Sequence, residues 1–359
     1  MSGDVPPEET YIRGRRIRYV LMMALILATA VLVVFSFGTG SGVISFDIAM
    51  DVIRERMNGN IPDRSKDYWA WLCDRLVYDG TIPRALGGVM VGAILGISGA
   101  VMQMCVRNPL ASPYTTGISS AALFGVTIHL VLGISIIPLG NGMDMILNAF
   151  LFSMIPCMLM VFLSMKMKTT PSMLVLIGIG VMYIFNAITM MLKYGAEPEI
   201  LKQIQMWSVG SISGITWNDL GYLLIATMIL FVSMMALSGR MDALASGDRM
   251  SQSLGVEPVG TRLLCMVIIS ACTAVAVCFS GSIGFVGLVI PHISRMLVGS
   301  RSDMLLPCSA ILGATLLIGA DVLSRILSTG LPVGAVTAVI GAPVFLYFLV
   351  KMRTNGWGR

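Results

Sequence analysis

The 359-residue chain is poor in charge, with Asp, Glu, Lys and Arg making up 12% of it. Soluble domains carry about 25%. It has two histidines and six lysines, and none of the lysines follows a glycine. The GxxxxGK[ST] loop that cradles nucleotide phosphates is therefore absent. HExxH, GxSxG and a carboxylate pair within one apolar run are missing as well, so the residues give an enzyme reading nothing to stand on. The seven cysteines (73, 105, 157, 265, 272, 278 and 308) include no CxxC. Most sit in apolar runs, where cysteine packs as a small hydrophobe, so they indicate neither a disulfide framework nor a zinc site.

What the chain does have is hydrocarbon. Hydrophobic residues make up 56% of it and mean hydropathy is +0.85, the composition of a polytopic, all-α membrane protein. Ten apolar runs lie near 19–37, 84–106, 115–133, 145–165, 173–192, 218–238, 262–280, 284–298, 304–325 and 332–351. The first follows RGRRIR and is too long for a signal-peptide core, which predicts a retained span. With the N-terminus inside, the inner segments hold 15 of the 24 Lys and Arg, among them Arg13, Arg18, Lys166, Lys168, Arg240, Arg262 and Arg359. The short outer loops near 134–143 and 281–283 hold none, so both termini are expected in the cytoplasm.

Segment 239–262 is a polar island between two apolar runs. Asp248 is placed to cap a helix from Arg249 to Leu254, Gly255 suits a left-handed end, and Pro258 blocks continuation. A helix of about two turns is unstable alone in water, so it must pack on its own spans or on a partner. On the outer side, segment 38–83 carries seven acids and five bases, so it is no polyanion-binding patch. Ser45 is placed to cap a helix with Ala49, Ile53 and Met57 on one face, ended by Asn58-Gly59. A second helix, 68–77, places Trp69, Leu72, Cys73 and Leu76 on one stripe, as if lying in the membrane interface.

Small residues at Gly87, Gly88, Gly92, Gly96 and Gly99 predict close helix contact through the second span. Two Gly/Pro-interrupted stretches, 107–117 and 279–295, point to an inverted-repeat transporter with a central path. Few ionisable residues fall in spans. Asp321 and Arg325 stand at i and i+4, Arg84 opens the second span on the same outer side, and His129 and His292 are either packed or functional. An ion-coupled secondary carrier is one reading, although proton carriers usually show a longer relay of buried acids. The other is a channel-forming subunit driven from outside through 239–262.

Residues 81–122, TIPRALGGVMVGAILGISGAVMQMCVRNPLASPYTTGISSAA, resemble the FecCD-type permeases of ATP-binding cassette (ABC) importers, which carry iron–siderophore complexes, haem or vitamin B12. GSIGFVGLVIPHISRMLVG, LLPCSAILGATLLIGADVLSR and LPVGAVTAVIGAPVFLYFLVK are similar to the family's later blocks, in order, and MDALASGDRMSQSLGV to its coupling segment. The resemblance runs from about 80 to 352. It implies a single permease domain over 1–359 with ten transmembrane helices, inverted repeats and the type II importer architecture. It also implies a second copy of the chain, cytoplasmic ATPase subunits that bind the ATP, and an extracytoplasmic substrate-binding protein. No cofactor, metal or nucleic acid belongs to this chain on that reading. By resemblance, Asn108, Pro109, Leu110, Thr170, Pro171 and Ser172 form an inner gate. Met241, Asp242, Ala243, Leu244, Gly247, Ser251, Leu254 and Gly255 meet the ATPase. Arg84 and Arg325 receive acids of the binding protein. Where the family often reads R-x-P-R, this chain has Thr81-Ile82-Pro83-Arg84, one positive charge fewer.

Overall fold

The computed structural model describes residues 7–39, 44–140, 142–167, 170–327 and 330–354, and among them there is helix and no strand. Lys168 and Arg359, counted above toward the charge bias, lie outside the described residues, as does 40–43 of the outer segment. The helices are α1 (Pro7–Phe37), α2 (Phe46–Met57), α3 (Tyr68–Asp74), α4 (Ile82–Cys105), α5 (Ile118–Leu132), α6 (Met143–Lys166), α7 (Pro171–Tyr194) and α8 (Pro198–Val209). After them come α9 (Trp217–Ala236), α10 (Ser238–Ala245), α11 (Asp248–Ser253), α12 (Pro258–Ser280), α13 (Val286–Val298), α14 (Ser302–Leu327) and α15 (Val333–Thr354).

A helix coincides with each of the ten expected spans, but among the described residues only seven are long and apolar enough to cross a bilayer. The runs at α5, α13 and α15 are shorter apolar helices, Ile118–Leu132, Val286–Val298 and Val333–Phe348. Two of the three, α5 and α13, adjoin the predicted interruptions, where the chain leaves helical geometry. In the first, Arg107 is left-handed and a 3₁₀ turn covers Pro113–Thr116. In the second, Gly281 and Phe285 have φ of 66°. The breaks meet: the hydroxyls of Ser119 and Ser282 touch, and Gly287 lies beside the Pro113 ring. Irregular backbone at bilayer depth requires such enclosure by protein.

α4 is the centre of the bundle. Nineteen of its 24 residues are buried, so it faces protein all round, whereas the apolar stretch of α1 is 11% buried and lies at the periphery. Its glycines explain how neighbours come so near. A Cβ on Gly92 would overlap the Gly313 carbonyl of α14, one on Gly96 the Ser309 carbonyl, and one on Gly99 the Gly287 carbonyl of α13. Close backbone approach replaces the hydrophobic drive that lipid cannot supply between helices.

The outer segment is partly as expected. Ser45 caps α2, its hydroxyl accepting from the Ile48 N–H, and Gly59 follows at φ 81°. The stripe on 68–77 is not a separate interfacial helix, however. α3 runs through a π-helical turn, Arg75–Thr81, straight into α4, giving one rod from Tyr68 to Cys105. Cys73 and Val77 are its buried positions, while Trp69 and Leu76 are exposed. A charge clamp fixes the register: Arg56 donates to both oxygens of buried Asp74 at 2.7 and 2.6 Å and stacks 4.1 Å over Tyr78. Trp217 Nε1 donates to the Tyr78 carbonyl at 2.8 Å. Bidentate pairing with a buried carboxylate outweighed the amphipathic pattern.

Candidate functional site

Two clusters hold the predicted site residues, one at each end of the bundle. At the basic end, where α1 starts and α4 stops, Arg107 follows the cap of α4 at φ 48°. The Arg107 N–H bonds the Met104 carbonyl and the Asn108 N–H bonds the Gln103 carbonyl, a Schellman closure usually given to glycine. Asn108 Oδ1 accepts from the Leu110 N–H at 2.9 Å, and His292 Nε2 of α13 lies 3.0 Å from the Pro109 carbonyl. Gln103 ties the same helices, accepting from Arg295 at 2.6 Å and donating to the Leu288 carbonyl at 3.2 Å. Thr170 caps α7 by accepting from the Met173 N–H, with Pro171 in the first turn. Thr170, Pro171 and Ser172 line a cavity of about 1000 Å³ with Val106, Arg107 and Asp248. Asn108, Pro109 and Leu110 are not in that lining; of the three, Pro109 meets α13 through its carbonyl.

The coupling segment forms two short helices, α10 and α11, separated by Gly247 at φ 110°. Asp248 is the first residue of α11 and not its cap. Its carboxylate is engaged elsewhere: Oδ1 lies 2.9 Å from Arg262 Nη2 and 3.2 Å from Arg107 Nη2. Arg262 is 2% exposed and its Nε donates to the Cys105 carbonyl at the end of α4, 2.8 Å away. A buried guanidinium requires such a partner, and that demand displaced the local cap. Asp242 is a cap at long range, accepting from the Ser302 N–H and hydroxyl at 2.9 and 2.6 Å where α14 begins. Met241, Ala243, Leu244 and Ser251 are buried inside the chain, whereas Met250 and Leu254 are the most exposed large apolar side chains of this segment.

Gly255 is left-handed (φ 76°), and the bonds Val256 N–H to Ser251 C=O and Gly255 N–H to Gln252 C=O close a Schellman motif. No atom lies within 4 Å of a Cβ built there, so a substitution meets backbone strain alone. Gly255→Val is expected to cost about 1–2 kcal/mol. Gly255→Asn should cost far less, since asparagine visits this region readily. Loss of transport in the valine variant with retention in the asparagine variant, at equal membrane accumulation, is the expected outcome; equal transport would show that the shape of this turn is immaterial.

At the opposite end, Arg84 and Arg325 converge on Asp321. Arg84 Nε and Nη2 both donate to Asp321 Oδ1, at 2.9 and 2.6 Å, and Arg325 Nη2 stands 2.8 Å from Oδ2. Arg325 Nη1 also donates to the Ser36 carbonyl of α1 at 2.9 Å. Asp321 is fully buried, whereas Arg84 and Arg325 line a cavity of about 1040 Å³. Glu199, Lys202 and Trp207 of α8 line it too. This helix was missed in the sequence, although Pro198 in its first turn and the spacing of Ile200, Ile204 and Trp207 signal it. It is stitched in beside the second break: Ser211 N–H donates to the Ser280 carbonyl at 2.7 Å and Gly334 N–H to the Gly210 carbonyl at 3.1 Å. The His129 imidazole meets the nearby Ser135 hydroxyl, 3.1 Å from Nδ1. No cluster of three or more His, Cys, Asp or Glu able to hold a metal occurs among the described residues.

Comparison with known proteins agrees with this fold. A solved structure described as an inward-facing conformation of a metal-chelate type ABC transporter superposes with a TM-score of 0.78 at 31% identity, covering 92% of this chain and 99% of that one. The vitamin B12 import system permease protein of Vibrio cholerae is 32% identical over 79% of this chain and 85% of its own length. The iron(3+)-hydroxamate import system permease protein of Bacillus subtilis is 33% identical over 78% and 72%. The model of the FecCD transport family matches residues 25–351, nearly the whole chain, and the chain belongs to that family.

Proposed function

We propose that this chain works as a pair with a second copy, as the membrane channel of an ATP-driven importer of metal chelates such as iron–siderophore complexes, haem or cobalamin. The observation that carries the reading is the near-complete match to a transport family by a chain whose sequence lacks a phosphate-binding loop. Energy must then enter from a separate ATPase. The basic end, with its concentration of arginines and its exposed Met250 and Leu254, faces the cytoplasm and receives that subunit. Both termini lie on the same side. The opposite cavity, rimmed by Arg84 and Arg325, receives cargo from an extracytoplasmic binding protein whose acids meet those arginines. Asn108–Leu110 and Thr170–Ser172 close the path on the cytoplasmic side. The charge balance of the rim serves steering and register in docking, because both guanidiniums are already engaged by Asp321.

The test is reconstitution. In liposomes the chain alone should move no ferric chelate or cobalamin, with or without an imposed proton or sodium gradient. ATP-dependent uptake should appear once the ATPase and binding protein are added. Gradient-driven uptake by the chain alone would overturn the importer reading in favour of a secondary carrier.

A further inference from the structure

The residues between α4 and the 3₁₀ turn are held from two sides by groups of different character. On one side is α11. Asp248 Oδ1 is shared by two arginines: Arg262, which is buried and anchored to the Cys105 carbonyl, and Arg107, whose ion pair with Asp248 leaves both side chains 38% exposed. On the other side is α13, where His292 holds the Pro109 carbonyl, a single residue beyond Asn108. Arg107 itself occupies left-handed backbone at φ 48°, a conformation that disfavours a side chain, and it closes the end of α4 in a role glycine fills more readily. Arginine is therefore not at this position for the sake of the turn. Its guanidinium spans the gap to α11: Nη1 lies 3.3 Å from where a Cβ on Gly247 would stand, and Nη2 lies 3.2 Å from Asp248.

We infer that Arg107 is a positioning residue for transport: its partly exposed ion pair with Asp248 latches the turn after α4, residues 107–110, to the coupling helix α11, while His292 ties the Pro109 carbonyl to α13. The inference rests on the importer reading above and assigns to that reading the contact whose release frees the turn. The two arginines on Asp248 divide the work. Arg262 is buried and keeps Asp248 attached to α4 and α12 throughout. Arg107, wetter and 0.3 Å farther away, is the partner that can let go when α11 is pushed. When it does, the Cys105 end of α4 stays with α12 and only residues 107–110 are freed to swing about His292. A strained turn released by the loss of one surface pair relaxes at little cost, which suits a gate that opens and closes once per cycle.

The experiment uses the whole complex, chain plus ATPase plus binding protein, in liposomes with ferric chelate or cobalamin as cargo. Arg107→Gly keeps the left-handed turn, and relieves its strain, while deleting the guanidinium. Arg107→Lys keeps a cation with the original backbone. Arg107→Gly is expected to accumulate and co-purify with the ATPase as the wild type does and to hydrolyse ATP at a rate within about threefold of wild type. Its uptake should fall at least tenfold, and its hydrolysis should no longer respond to loaded binding protein. Arg107→Lys should recover most of the uptake. Wild-type uptake in Arg107→Gly, failure of Arg107→Lys to recover, or loss of ATPase co-purification in Arg107→Gly would each overturn the assignment, the last by making Arg107 an assembly contact. If the unmutated complex itself shows no ATP-driven uptake, it is the importer reading that fails, and the two failures are told apart by that control.

Discussion

Asp321→Ala is expected to be the most damaging single change at the outer end, costing about 3–5 kcal/mol and sharply reducing the folded chain in the membrane. The reason is arithmetic of charge. One fully buried carboxylate balances two arginines that are 80% and 89% shielded. Removing it leaves two largely shielded guanidiniums facing each other between α4 and α14 without the carboxylate that both of them meet. Removing either arginine instead leaves Asp321 paired with the other, so Arg325→Gln and Arg84→Gln should each cost less than Asp321→Ala. Thermal midpoints of the purified variants give the order. If Arg325→Gln proves as destabilising as Asp321→Ala, the shared-carboxylate account is wrong and the bond from Arg325 to Ser36 matters more. The experiment also separates structure from docking: an arginine variant that keeps its midpoint yet weakens binding-protein association in a salt-sensitive way is acting at the rim.

The second large effect lies in the core, where a single methyl should do harm. In Gly96→Ala the new Cβ overlaps the Ser309 backbone carbonyl on α14, and a backbone, unlike a flexible side chain, cannot swing aside. The two helices must separate, and overpacking of this kind costs about 1–3 kcal/mol or more. Gly180→Ala, in α7, has no atom within 4 Å of the new carbon. That change should be neutral or stabilising by about 0.5–1 kcal/mol, because alanine is the better helix former. The opposite signs of two chemically identical substitutions are the expected result. A Gly96→Ala midpoint equal to wild type would mean that the α4–α14 contact is looser than the structure has it.

Much of this was legible in the sequence because it depends on local chemistry. Runs of apolar residues, the cap at Ser45, the left-handed Gly255 and the small-residue face of α4 all follow from neighbours within one or two turns. What was not legible depends on partners far along the chain. Arg84 finds Asp321 across 237 positions, Arg262 finds the Cys105 carbonyl across 157, and Asp242 finds Ser302 across 60. A local rule assigned Asp248 to a helix cap, and a distant buried arginine claimed it instead. Likewise the stripe on 68–77 read as interfacial because nothing nearby reveals the Arg56–Asp74 clamp. Short helices suffer most: α8 owes its place to hydrogen bonds with Ser280 and Gly334 that no periodicity encodes.

The unbroken rod from Tyr68 to Cys105 is 38 residues long. At the helical rise it measures roughly 55 Å, against about 30 Å for the hydrocarbon of a bilayer. Even with tilt, about 20 Å of it must extend beyond the hydrocarbon. The rod borders the cavity at Leu76, Gly80, Thr81 and Arg84, so one wall of that cavity is a stretch of this single helix. Because the same rod ends beside the Arg107 turn, one continuous helix joins the cavity lined by Arg84 to the turn that pairs with Asp248.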